Sequence, residues 1–165
     1  MIYVALGANL PSRFGTPAET LAIAVNALNE RAVHVIAMSR VWLTAPVPIS
    51  DQPWYHNAVA RVETSLSPRE LLSVLLSIES DFGRVRVMQN ESRVLDLDII
   101  AYNDQILDED GLNIPHLRMH ERGFVLYPLC DIDPAWVHPV SQKSIDELIT
   151  QLPVDQVARV MDHAA

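Results

Sequence analysis

Short apolar runs alternate with amphipathic segments along residues 2–102 of the chain. Four runs are apolar and β-branched or alternate between polar and apolar positions, and each predicts a strand: residues 2–6, 33–42, 55–64 and 94–102. Two segments between them carry apolar residues at helical spacing and predict helices that begin at Pro17 and Pro68. The predicted order is therefore β-α-β-β-α-β.

Both predicted helices have well-defined starts. Thr16 can cap the first helix. Ser67, Pro68 and Glu70 form a capping-box sequence for the second helix, which is expected to end at Gly83. The predicted buried face of this second helix consists of Leu71, Leu72, Leu75, Leu76 and Ile78.

The β-α-β-β-α-β order is that of a ferredoxin-like α/β sandwich, so the sequence predicts an α+β fold. Residues 103–165 would add to this core, with two short predicted helices over 119–126 and 144–152. Residues 44–54 contain three prolines and predict a loop. Because no repeat or linker divides the 165 residues, we expect one domain over residues 1–165.

The composition indicates a globular chain that acts in the cytoplasm. Hydrophobic residues make up 49% of the sequence, yet no apolar run approaches the ~18 residues of a membrane span. We expect no export leader, and the single cysteine, Cys130, excludes an internal disulfide. A net charge of −9 disfavours sequence-independent binding of nucleic acid, because surplus lysine and arginine hold phosphate backbones. We therefore expect neither a membrane nor a nucleic-acid partner.

Two aspartates share one face of the fourth predicted strand. In a strand over residues 94–102, Asp96 and Asp98 point to one side, while Leu95, Leu97 and Ile99 point to the core. Two carboxylates so close repel unless a cation lies between them, and magnesium prefers such oxygens. The alternative is an exposed sheet face that pairs with basic side chains of a neighbouring strand.

Arginines flank these carboxylates. Eleven of the twelve basic residues are arginine, and Arg84, Arg86 and Arg93 border a polar loop over residues 87–92. Phosphoryl transfer requires a metal across phosphate oxygens and positioned cations rather than covalent protein chemistry. The loop and strand together fit that requirement. The alternative is solvated surface arginines, which contribute little.

A second cationic cluster lies further along the chain. His116, Arg118, His120 and Arg122 surround the single acid Glu121. The functional interpretation is a phosphate or nucleoside clamp, and the alternative is a solvated helix start. The two histidines are four residues apart, but no third ligand supports a zinc site.

Five ordered segments resemble the 6-hydroxymethyl-7,8-dihydropterin pyrophosphokinase family of folate biosynthesis. Arg93 followed by Asp96-Leu97-Asp98 is similar to the family signature. The other four segments are Leu6-Gly7-Ala8-Asn9, Asp51-Gln52-Pro53 with Tyr55 and Asn57, Ile78-Glu79 with Gly83-Arg84-Val85-Arg86, and Pro115-His116 with Arg118 and residues 120–124. The last thirty residues or so add nothing to the resemblance.

The resemblance implies transfer of the β,γ-pyrophosphate of ATP to the hydroxymethyl group of the reduced pterin, with release of AMP and with two magnesium ions. It implies Arg84 and Arg93 as catalytic residues and Asp96 and Asp98 as metal ligands. It implies a nucleotide site of Arg86, Ile99, His116, Arg118 and Arg122, with Glu79 nearby. It implies a pterin site of Gly7, Thr44, Ala45, Val47, Tyr55, Asn57 and Phe124.

Residue chemistry agrees with the implied pterin site. Tyr55 and Phe124 offer aromatic faces to a flat heterocycle, although core packing is the alternative for both. Asn57 carries both donors and acceptors, as does a pterin edge. With ATP and a reduced pterin as ligands, we expect a monomer; association with other folate-pathway enzymes is left open.

The sequence departs from the family pattern mainly in the loop before Arg93. The family usually has a basic residue and then Trp-Gly-Pro at this place, whereas this chain has Gln89-Asn90-Glu91-Ser92. Ala8 and Ala45 also replace a usual serine and a common proline. We expect these changes to affect rate more than binding. A divergent paralogue that binds pterin or nucleotide with little transfer is the alternative, and two-metal phosphoester hydrolysis is a third.

Overall fold

The computed structural model describes residues 1–46, 48, 50–83 and 94–161. Its strands are β1 (Ile2–Ala8), β2 (His34–Met38), β3 (Trp42–Thr44), β4 (Tyr55–Glu63), β5 (Asp96–Tyr102), β6 (Leu107–Glu109), β7 (Leu112–Ile114) and β8 (Ala158–Val160). Its helices are α1 (Pro17–Glu30), α2 (Pro68–Asp81), α3 (Gly123–Ile132) and α4 (Ile145–Thr150), with a 3-10 turn over Met119–Glu121.

The main sheet is antiparallel, with the order β5-β1-β4-β3-β8, and β2 also pairs with β4. The central β1 lies between β4 and β5, as the β-α-β-β-α-β order requires. The predicted α+β, ferredoxin-like core is therefore confirmed. A hairpin of β6 and β7 forms a separate small sheet.

Helices cover both faces of the main sheet. α1 and α2 contribute Leu21, Leu28, Leu71 and Leu75 to a core on one face. α3 and α4 pack with buried residues of β1, β4 and β5 on the other face, in a second core that contains Leu126. The segment after residue 102 therefore encloses the face of the sheet that the first two helices leave open.

The predicted capping of α1 and α2 is confirmed in detail. The hydroxyl of Thr16 accepts a hydrogen bond from Glu19 N at 3.2 Å, and Ser67 accepts one from Glu70 N at the same distance. Each glutamate side chain accepts a hydrogen bond from its capping residue in return. The predicted buried face of α2 was too wide, because Leu76 is 43% exposed.

The prediction of a single strand over residues 33–42 is wrong in one respect. The structure divides it into β2 and β3, which pair with opposite ends of β4. At the break, Ser39 N donates to Val59 O, and Ser39 Oγ accepts from Val59 N, both at 2.9 Å. A side-chain hydroxyl thus takes the place of a backbone carbonyl, which interrupts the ladder.

The carboxyl-terminal third differs most from the sequence prediction. The helix expected over residues 119–126 is a 3-10 turn followed by α3, and the helix expected over 144–152 is the shorter α4. Ser144 caps α4 by accepting a hydrogen bond from Glu147 N at 3.2 Å. Strand β8, which the sequence analysis did not predict, joins the main sheet beside β3.

Candidate active site

A row of three residues crosses the sheet where β5, β1 and β4 lie side by side. Asp96 in β5 is the register partner of Gly7 in β1, and Gly7 is also the partner of Asn57 in β4. Directly paired residues point to the same face, so all three are on the side of the sheet that α3 and α4 cover. With adjacent strands about 4.8 Å apart, Asp96 and Asn57 lie about 10 Å from each other across Gly7.

The two aspartates are placed as the alternation of β5 predicted. Leu97 and Ile99 are buried in the core beneath α1 and α2, while Asp96 and Asp98 are half-buried on the opposite face. Their register partners on β1, Gly7 and Ala5, carry no charge. At these positions the neighbouring strand therefore offers no basic side chain of the kind that the surface-pairing alternative required.

The donor set around Asp96 and Asp98 fits magnesium held together with a phosphate-bearing ligand. Within residues 1–46, 48, 50–83 and 94–161, no three histidine, cysteine, aspartate or glutamate side chains cluster as an all-protein metal site. Magnesium commonly binds through one or two carboxylates and completes its shell with water and substrate phosphates. Two carboxylates on one strand face match in number and type the protein ligands that such a shell needs.

Glu79 in α2 binds the backbone of the strand that carries the aspartates. Its side chain is only 2% exposed, and Oε2 accepts a hydrogen bond from Leu97 N at 2.8 Å. Leu97 lies between the two aspartates, so this bond fixes the backbone that carries both. The sequence analysis placed Glu79 near the nucleotide, and the structure adds that its carboxylate binds the backbone of β5 between the two aspartates.

Gly7 leaves space for the Asn57 side chain. A Cβ atom on Gly7 would lie 2.7 Å from Asn57 Oδ1, closer than real side chains approach. The amide of Asn57 instead rests against the glycine, and its Nδ2 donates to Thr44 Oγ1 at 2.7 Å. Both polar residues are buried, at 6% and 3% exposure, so their geometry is fixed by the sheet.

These residues open into one cleft of about 1150 Å³ between the sheet and the segment after residue 102. That volume exceeds the range of about 300–1,000 Å³ that typical small-molecule pockets occupy. Ten of the residues that the resemblance implies line it: Gly7, Thr44, Ala45, Tyr55, Asn57, Asp96, His116, Arg118, Arg122 and Phe124.

The structure does not bring every predicted site residue to the cleft. Asp98 and Glu79 do not line it, and the side chain of Ile99 is buried in the core at 5% exposure. Four other predicted site residues lie outside the described residues: Val47, Arg84, Arg86 and Arg93. The altered loop over residues 87–92 also lies outside them.

Arg122 and His116 form the wall that faces Asp96. The guanidinium carbon of Arg122 lies 5.4 Å from the ring centroid of Phe124. His116 N donates to Ile100 O at 2.9 Å, and its Nδ1 accepts from Arg118 N at 3.2 Å. Since Nδ1 is an acceptor, the neutral ring carries its proton on Nε2.

His116 is held neutral by its surroundings. Burial is the largest of the effects that together lower the pKa of His116 from 6.5 to about 4; the charges of Arg122 and Arg118 act in the same direction, and the charge of Asp96 opposes them. The imidazole therefore acts as a neutral donor through Nε2 near pH 7. The positive charge of this wall comes from Arg118 and Arg122.

We expect the lowered pKa of His116 to make the free energy of unfolding depend on pH. Below pH 6.5 the unfolded chain binds a proton at His116 that the folded chain resists, so stability falls as pH falls towards 4. Between pH 6.5 and 5 the loss is about 1.6 kcal/mol. Urea unfolding should show a smaller loss for His116→Asn, while the exposed His34→Asn should match the wild type. Equal pH dependence in all three proteins would contradict the assignment.

Sequence reasoning missed the contribution of the last thirty residues. Eight of them line the cleft: His138, Val140, Ser141, Lys143, Leu148, Gln151, Pro153 and Gln156. Residues 156–160 read Gln-Val-Ala-Arg-Val, and the two valines were the available signal for β8. A strand of three residues is too short to stand out from such a pattern.

Residues 3–134 match the model of the 7,8-dihydro-6-hydroxymethylpterin-pyrophosphokinase family. This chain belongs to that family. The Haemophilus influenzae protein 2-amino-4-hydroxy-6-hydroxymethyldihydropteridine pyrophosphokinase is 43% identical to it over 150 residues, which cover 90% of this chain and 91% of that protein. The Pseudomonas aeruginosa protein of the same name is 37% identical over 160 residues, 96% of each chain.

The fold of this pyrophosphokinase family member also matches a larger protein. A crystal structure of a Plasmodium falciparum HPPK-DHPS triple mutant superposes with a TM-score of 0.72 at 16% identity. The match covers 91% of this chain and 42% of that chain, and it concerns the fold alone. Among the helices that the structure describes, none is long and apolar enough to cross a membrane.

Proposed function

We propose that this chain transfers pyrophosphate from ATP to the hydroxymethyl group of 6-hydroxymethyl-7,8-dihydropterin and releases AMP, as a step of folate biosynthesis. The row of Asp96, Gly7 and Asn57 supports this proposal most directly. In one cleft it places a carboxylate that can bind a metal ion near an amide whose donor and acceptor match the edge of a pterin. The names of the relatives in Haemophilus influenzae and Pseudomonas aeruginosa support the same reaction.

On the pterin side, the protein offers fixed polar groups and aromatic faces. Asn57 is held by Gly7 and Thr44, so its amide meets a heterocycle without reorganisation. Tyr55 and Phe124 both line the cleft, where their rings can cover a flat ligand. We assign Ala45, which lines the cleft, to the same site, and the resemblance adds Val47 from outside the described residues.

On the nucleotide side, Arg118 and Arg122 supply positive charge and His116 supplies a neutral donor. Asp96 and Asp98 would hold two magnesium ions together with the phosphate oxygens. When bound, magnesium neutralises developing charge on those oxygens. Arg84 and Arg93, as the catalytic arginines, and Arg86, as a nucleotide ligand, complete the proposal from the part of the sequence outside the described residues.

The paralogue alternative predicts ligand binding without turnover. The relatives support the enzyme and give no support to the alternative. We further propose that the chain acts as a monomer in the cytoplasm. Its fold recurs within the longer HPPK-DHPS chain of Plasmodium falciparum, and association with other folate-pathway enzymes stays a prediction.

The proposal is tested by analysis of the nucleotide products. Incubation with ATP, magnesium and 6-hydroxymethyl-7,8-dihydropterin should yield AMP and the pterin diphosphate in equal amounts, as resolved by anion-exchange chromatography. ADP or inorganic phosphate formed without the pterin would support hydrolysis instead. Binding of both ligands with no AMP would support the paralogue.

We expect Gly7→Ala to weaken pterin binding selectively. The added methyl group would displace the Asn57 amide from Thr44, since only 2.7 Å separates its position from Asn57 Oδ1. Loss of one fixed hydrogen-bonding group costs about 1–2 kcal/mol, or about tenfold in the KM for the pterin. The KM for ATP should stay within about twofold. Steady-state kinetics with each substrate varied in turn measures both KM values. A rise in the KM for ATP without a rise in the KM for the pterin would contradict this prediction.

A further inference from the structure

The side-chain amide of Gln156 binds the backbone on both sides of Arg122. Its Oε1 accepts a hydrogen bond from Gly123 N at 2.7 Å, and its Nε2 donates to Glu121 O at 2.6 Å. Gln156 lies 33 residues after Gly123 and follows α4, in the region beyond the match to the family model. One distant side chain therefore fixes the peptide groups before and after Arg122.

These two hydrogen bonds satisfy backbone groups that have no hydrogen-bond partner within α3. Arg122 is the N-cap of α3 and makes no side-chain capping bond, so Gly123 N needs a partner from elsewhere. The approach is close: a Cβ on Gly123 would lie 3.2 Å from Gln156 Oε1 and 3.0 Å from Tyr127 Cε2. Glycine at this position lets Gln156 reach the backbone.

The same segment also holds the opposite wall of the cleft. Val157 O accepts a hydrogen bond from Ala45 N at 3.0 Å, and Ala158 pairs with Thr44 where β8 joins β3. Consecutive residues of the segment thus contact the Thr44 wall and the Arg122 wall. The segment contacts the Thr44 wall through its backbone and the Arg122 wall through the side chain of Gln156.

We propose that Gln156 is a positioning residue for nucleotide binding, acting through Arg122. This inference rests on the proposed function, in which Arg122 contacts ATP. By fixing Glu121 O and Gly123 N, Gln156 holds the Arg122 backbone in place before the ligand arrives. Binding then avoids the entropic cost of ordering that turn.

Gln156→Met tests this role because methionine keeps the length of the side chain and removes both hydrogen bonds. The KM for ATP should rise about tenfold, since two hydrogen bonds of ordinary strength are lost around Arg122. The kcat and the KM for the pterin should stay within about threefold, because Val157 holds the other wall through its backbone. General structural damage would lower kcat instead.

A spectroscopic readout accompanies the kinetics. The chain has five glycines, so the amide signal of Gly123 can be assigned among few resonances in a nitrogen–proton correlation spectrum. Gln156→Met should move this signal, and Gln156→Glu should largely retain it, because a carboxylate still accepts from Gly123 N but cannot donate to Glu121 O. The exposed neighbour provides the matched control, Asp155→Asn, which should leave both the signal and the KM unchanged.

An active Gln156→Met protein with the wild-type KM for ATP would overturn the proposal, as would an equal rise in Asp155→Asn. If the wild type forms no AMP, the proposed function fails separately. Calorimetric titration with magnesium-ATP then decides the role of Gln156: about tenfold weaker binding in Gln156→Met supports it, and equal binding overturns it.

Discussion

Asp96→Ala should lower the rate of AMP formation by about three orders of magnitude while the protein remains folded. Magnesium at a transferring phosphate is worth several kcal/mol of transition-state stabilisation, and each 1.36 kcal/mol is tenfold in rate. Asp96 faces the cleft and is half-buried, whereas Leu95 and Leu97 anchor the strand in the core. Removal of the carboxylate therefore affects the site more than the fold.

The initial rate of AMP release at saturating ATP, magnesium and pterin measures this effect, with circular dichroism to check the fold. Asp104→Ala is the matched control, because Asp104 is an exposed aspartate in the turn after the same strand. The control should keep the wild-type rate. An Asp96→Ala rate within tenfold of the wild type would remove Asp96 from the metal site.

Glu79→Ala should destabilise the protein by about 3 kcal/mol and also slow the reaction. The buried Leu97 N–H would lose its acceptor, and an unsatisfied buried group costs about 1–3 kcal/mol before the loss of packing is added. Since Leu97 separates Asp96 and Asp98, the same change loosens both carboxylates. Activity and stability should therefore fall together.

The comparison with Glu79→Gln isolates the hydrogen bond. Glutamine keeps the volume and can still accept from Leu97 N, so urea unfolding should show a clearly smaller loss of stability than for Glu79→Ala. The rate should follow the same order. Equal stability of the wild type and both variants would show that the bond from Leu97 to Glu79 does not support β5.

The local patterns that the sequence carries explain which parts of the fold could be predicted. The capping boxes at Thr16 and Ser67 act within one helical turn, so their residues alone specify them. The alternation of Asp96 and Asp98 with core leucines is equally local. Ser39 was missed because its hydroxyl bonds to Val59, a partner twenty residues away whose proximity no local pattern reveals.

The parts of the site that were not predicted depend on contacts between distant segments. Gln156 looks like an ordinary polar residue until β8 brings it to the start of α3. The resemblance placed Glu79 near the nucleotide, but no local pattern revealed that its carboxylate accepts a hydrogen bond from Leu97 N in β5. In both cases the function of the side chain follows from the backbone group that it meets in the folded chain.

Transfer of label from ATP tests the proposed reaction most directly. With ATP labelled by ³²P at the β-phosphorus, incubation with magnesium and 6-hydroxymethyl-7,8-dihydropterin should move the label to the pterin, and label at the α-phosphorus should remain with AMP. In the proposed function both substrates meet in the cleft that Asp96 and Asn57 line. Label that appears in inorganic phosphate or stays on the nucleotide, with none on the pterin, would contradict pyrophosphate transfer by this chain.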